Sequence, residues 1–202
     1  IEGRVNGDVF AIALTAHITG EVTGNLYIGA RALEVSGTLG DDLHYIGGTL
    51  ELKSGTVWDD GSLVAAAVSV TLEDDTRVPG DVSAVGYQLR GSGVIDGDVM
   101  YAGESLTLSG SVGRSVYAHV GDTSQAAVPQ VASTVLSLFL ALDTEPPGLR
   151  LTRDARIGRD LDYIAPAAAD LSGRIQGSVS YTPVTNAPTI EELVDEESRS
   201  NA

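Results

Sequence analysis

A short phrase keeps returning in this chain: "VNGDV" from residue 5, "VTGNL" from 22, "VPGDV" from 78 and "IDGDV" from 95. Aligned on its first apolar residue, the phrase places Val5, Val22, Leu39, Val57, Val78, Ile95, Val112, Ile157 and Ile175 at equivalent positions. Their spacings are 17, 17, 18, 21, 17, 17, 45 and 18 residues, so one period governs the chain apart from a single long excursion. A unit this short cannot enclose its own apolar side chains, and stacking on its neighbours is the way it buries them. The repeat therefore dictates a solenoid.

Within a unit the apolar residues alternate, as at Leu33, Val35, Leu39, Leu43 and Tyr45, which is the period of an extended chain with one face inward. An odd repeat length requires the alternation to slip once per unit. The slip falls at "IGARA", "IGGTL", "VGYQL" and "AGESL", where glycine permits a corner. The expected fold is all-β: a single parallel β-helix of about nine coils, rising about 4.8 Å per coil and roughly 40 Å long. A strict six-residue aliphatic phase, the mark of left-handed β-helices, is not kept, and right-handed coiling is expected.

Aromatics are only 5% of the residues, so aliphatic side chains must fill the core. The formal net charge of −16, with "EELVDEE" near the C-terminus, repels phosphate backbones and anionic lipid, and nucleic acid is not an expected partner. With no cysteine, disulfides, thiolate metal sites and cysteine nucleophiles are excluded together. The chain opens at Ile1 without methionine or signal peptide and reads as a processed or trimmed piece; "IEGR" fits the repeat in phase and reads as native.

The units "VNGDV", "VTGNL", "VPGDV", "IDGDV" and "IGRDLDY" resemble the bactofilin family, the polymer-forming cytoskeletal proteins, over about residues 1 to 181. The resemblance implies a right-handed parallel β-helix that assembles end to end into non-polar filaments without nucleotide, often at a membrane. "IEGRVNGDVFAI" and "ARIGRDLDYIAPAAADLSGRIQGSVSY" look most like bacterial relatives that place the helix outside the cytoplasm. The implied setting is the bacterial cell envelope, with the cytoplasm as the alternative. The implied partners are further copies of the chain and envelope or membrane proteins.

Asp8, Asn25, Asp42, Asp81, Asp98 and Asp160 share one position in their coils and form a ladder. Calcium-binding β-rolls also stack aspartates, but one oxygen donor per coil is too few, and hydrogen bonds to turn backbone are the expected role. His17, His44 and His119 occupy different positions, and nothing gathers them into a ligand set or a base pair. No nucleophile elbow or zinc-protease helix motif appears, and the acidic pairs Asp59 with Asp60 and Asp74 with Asp75 fall in loops. No catalytic residue, metal or cofactor is implied.

Phe10, Tyr27 and His44 share an outward position on three successive coils. They are either incidental exposure or a contact stripe for a partner or a sugar. Tyr163 and Tyr181 sit inward on adjacent coils and read as stacked core residues. Val5 and Val9 at one end, with Ile175, Val179 and Tyr181 at the other, lie where a β-helix presents unpaired backbone and a slice of core, and are candidates for self-association.

Inside the excursion at about 121 to 148, Val128, Val131, Val135, Leu138, Phe139 and Leu142 follow a three-four spacing after Pro129 and before "EPPG". This predicts one amphipathic helix emerging between coils seven and eight and docked on the solenoid, with partner or membrane contact as alternatives. Residues 182 to 202 lose the period and read as an acidic, disordered tail or linker. The expected function is a structural, self-associating module; the rival from another class is a carbohydrate-binding or carbohydrate-active β-helix.

Overall fold

A computed structural model of the protein describes residues 1–121 and 144–184. These residues form an all-β solenoid of about nine coils in which every strand pairing is parallel. Each coil joins a two-residue strand to a longer one: Arg4–Val5 leads to Val9–Ile18, Glu21–Val22 to Leu26–Val35, and Thr38–Leu39 to Leu43–Leu52. The long strands build one continuous sheet along the whole stack, while the short strands form two sheets that part between Trp58 and Val78.

The register is in phase coil after coil. Val9 pairs with Leu26, Leu26 with Leu43, Leu43 with Leu63, and Val82 with Val99, so aliphatic side chains stack directly on one another. Leu26, Leu43, Leu63, Val82 and Val99 are almost wholly enclosed. The slip in alternation lies where the glycines signalled it: in coil 2 the buried positions run Leu26, Ile28, Ala30 and then Leu33, Val35. At Gly47 and Gly103 the demand for glycine is spatial. A Cβ on Gly47 would collide with the Ala30 carbonyl oxygen, and one on Gly103 with that of Gly86.

Two features depart from the sequence expectation. The position equivalent to Leu39 is Trp58, not Val57, which is exposed. Coils 3, 4 and 7 end in four-residue turns, "KSGT", "EDDT" and "TRDA", where other coils use two residues such as Ser92 and Gly93. The Thr56 hydroxyl donates to the Lys53 and Val35 carbonyls at 2.7 and 2.8 Å, and the Thr76 hydroxyl to the Glu73 carbonyl at 2.7 Å. The longer turns thus absorb the extra length locally. Trp58 fills its inward slot and donates its indole N–H to the Asp41 carbonyl at 2.9 Å.

The excursion does not join coils seven and eight. Val116–Val120 pairs with the first half of Val99–Leu108, and Gly148–Leu151 with the second half of the same strand. The insertion therefore interrupts coil seven at the slip position, and the chain re-enters the coil it left. The predicted helix lies among residues 122–143, outside the described residues.

Leu43 is enclosed between Leu26 and Leu63. Leu43→Asp places an unpaired carboxylate there and is expected to cost at least about 3 kcal/mol, lowering the thermal midpoint by roughly 10 °C. Circular dichroism melting checks this, and an unchanged midpoint contradicts the register.

Candidate functional site

The Asp ladder resolves into inter-coil hydrogen bonds. Asp8 Oδ1 accepts the Asn25 backbone N–H, Asp42 Oδ1 that of Ser62, Asp81 Oδ1 that of Asp98, Asp98 Oδ1 that of Ser115, and Asp160 Oδ1 that of Ser178, each at 2.8 Å. Where the ladder carries serine the geometry persists, with Ser62 Oγ accepting from Asp81 N–H at 3.0 Å. Each carboxylate spends its inner oxygen on the next coil. Among the described residues no three His, Asp or Glu side chains converge as metal ligands. The Ser178 backbone N–H and hydroxyl hold the Asp160 carboxyl below the usual carboxylate range.

A second polar clamp joins coils 3 and 4. Lys53 Nζ bridges Glu51 and Glu73 at 2.6 and 2.9 Å, and the Ser54 backbone N–H donates to Glu73 at 3.0 Å. The Ser54 N–H and then the Lys53 ammonium depress the Glu73 carboxyl. These turns are ion-paired supports.

Inward tyrosines were legible only in part. Tyr163 and Tyr181 stack with ring centroids 5.0 Å apart. The Tyr45 hydroxyl donates toward the Ala30 and Thr49 carbonyls, at 2.7 and 2.8 Å, and Tyr101 donates to Gly86 at 3.1 Å. Burial pushes both phenols up, Tyr45 to about 12. They satisfy carbonyls at the strand corner, a role visible in the sequence only as a tyrosine two residues before the corner glycine.

The aromatic stripe is real and belongs to something larger. Phe10, Tyr27 and His44 stack with centroids 4.4 and 4.5 Å apart and planes within 5°. Their row continues through Val64, Ser83, Met100, Tyr117 and Asp162. Two residues further along the strands a parallel row runs Ile12, Gly29, Ile46, Ala66, Val85, Ala102, His119 and Ile164. Together the rows line an open trough of about 1300 Å³ on one flank. Asp162 is the one Asp, Glu, Lys or Arg that lines it.

Because Phe10, Tyr27 and His44 stack on one another, their ring faces are spent within the stack and their edges meet solvent. A sugar-binding platform presents ring faces outward, so the stripe does not offer one along its length. His44 and His119 line the trough in different rows, four coils apart, and His17 lies elsewhere, 4.0 Å from Glu34.

The ends differ from the middle. Val179 is 47% and Tyr181 37% exposed, whereas their equivalents one coil earlier, Leu161 and Tyr163, are 0% and 3% exposed. Ile175, in the last short strand, is partly buried at the same end; at the other end Val5 and Val9 are partly buried, while Val22 and Leu26 are enclosed. No helix among the described residues is long and apolar enough to cross a membrane. Comparison with protein-family models, curated proteins and solved structures finds no match to this chain.

The depressed Asp160 carboxyl contributes stability that is present above the ordinary carboxylate value of about 4 and is lost as pH falls through the lower folded value. Asp160→Asn keeps an acceptor but not the charge. It is expected to melt below the parent at pH 7, with the gap narrowing as pH falls below about 4; a gap that stays constant with pH contradicts the ladder's charge-assisted role.

Proposed function

We propose that the protein is a structural, self-associating module: a right-handed, bactofilin-like β-helix that serves as a scaffold or cytoskeletal-type polymer at the bacterial envelope. The observation that carries this reading is the contrast at the C-terminal coil, where Val179 and Tyr181 are exposed at positions that one coil earlier are closed. An edge of parallel strands with open backbone groups and uncovered aliphatics is a template for more of the same structure. Val5 and Val9 present the equivalent slice at the other end.

Two further observations favour a scaffold over chemistry. The ladder carboxylates are engaged in holding the next coil, and the aromatic stripe turns its edges outward. The repeat phrases that resemble bactofilins support the envelope setting and envelope or membrane proteins as additional partners. No ligand or cofactor is needed in this role.

Val179→Arg adds a charge to the open slice without touching closed core. It is expected to raise the protein concentration needed for end-to-end assembly at least tenfold while leaving the thermal midpoint within a few degrees. Sedimentation velocity over a concentration series, with electron microscopy of the wild type, reads this. A strictly monomeric wild type, or assembly unaffected by both Val179→Arg and Val5→Arg, overturns the proposal.

A further inference from the structure

The trough runs along the flank from coil 1 to coil 8, at right angles to the end faces, and its apolar surface is unexplained by end-to-end association. Eight of the fourteen large exposed hydrophobic residues found among the described residues lie on it, and Ile12 is 94% exposed. The surface these eight leave to solvent is on the order of 800 Å², the share of one partner in a standard interface. Monomeric proteins rarely leave a contiguous apolar patch of that size uncovered.

We propose that this face is a lateral self-association surface, on which two copies pack face to face with their long axes antiparallel.

Shape and local charge point to a second copy as the occupant. Among the described residues no Lys or Arg lines the trough, so it offers an anionic lipid surface no counter-charge. The two rows are held straight by in-register pairing from coil 1 to coil 8. Another face of the same straightness and coil spacing matches seven of their eight coils, as sheets do when they pack about 10 Å apart, and Phe10 and Ile12 of coil 1 then meet Ser180 and Thr182 of coil 9. A two-fold contact is also the commonest way for identical chains to close an interface.

Orientation follows from the residues that must meet. With the two-fold axis across the rod, each row lies on its own counterpart and the coil order reverses. Tyr27 of coil 2 then faces Asp162 of coil 8, a hydroxyl donor opposite the one carboxylate. Gly29 faces Ile164; a Cβ there would come no closer than 3.7 Å to Ile12 and Ile46, so the glycine leaves a notch for the isoleucine. Val85, in the fifth of nine coils, meets itself. With the axis along the rod, each row meets the other row of the same coil, and Asp162 is pressed against Ile164 without a donor, which a buried charge does not tolerate.

The chain has no cysteine, so one introduced thiol reports one position. In the full chain, Val85→Cys is expected to form a covalent dimer on mild oxidation. Gly29→Cys mixed with Ile164→Cys is expected to cross-link at least fivefold more than either alone. Adding Ile46→Lys to Val85→Cys should abolish the dimer, with melting confirming that both variants fold. Adding Val179→Arg should leave it intact, separating this face from end-to-end assembly. Absence of the Val85→Cys dimer at about 100 µM overturns the proposal, as does cross-linking only between Ser83→Cys and Val85→Cys chains. Monomeric protein that floats with phosphatidylcholine vesicles would assign the face to lipid and likewise overturn it.

Discussion

Everything in this fold depends on the parallel contact between one coil and the next. A coil contributes a ring of backbone donors and acceptors and a handful of inward aliphatics, and neither is satisfied within the coil itself. The next coil supplies both at once, because in-phase pairing that places Leu26 on Leu43 also aligns their backbones for hydrogen bonding. The ladder carboxylates extend the same logic to the corners, where Asp81 and Asp98 each hold the backbone of the coil above. The tyrosine hydroxyls do so at the bend.

Strict repetition has a consequence for the surface. Whatever outward position the period repeats becomes a row, so a modest bias toward apolar residues at two outward positions produces a long, straight apolar flank. The stack also has ends, and there the contact that closes every interior coil is missing one partner among the described residues. Self-association at the ends and along the flank would meet the same need with another copy of the chain. The polar ladders are spread along the rod and engaged in holding it.

The inward ladder and the slip in alternation were legible because burial leaves a two-residue period that the repeat prints nine times. Trp58 was misplaced by one residue because Val57 beside it is also apolar, and only the turn closed by Thr56 settles which of them faces inward. The excursion was placed between coils because the count of residues cannot reveal that Val116–Val120 and Gly148–Leu151 complete one strand line. Phe10, Tyr27 and His44 were found as aromatics, but their trough was not, since Ile12, Ile46 and Val85 look like core residues until the register turns them outward. The direction of the aspartate hydrogen bonds, to the neighbouring coil, also needed the stack to be built.

Amide hydrogen exchange resolved along the chain tests the central claim, that stability passes from coil to coil and is incomplete at the ends. The account predicts the slowest exchange at Leu63, Val82 and Val99 in the middle coils, with protection falling toward Val9 and Val179 and rising at those ends as protein concentration increases. Uniform protection from Val9 to Val179, unchanged by concentration, would contradict it.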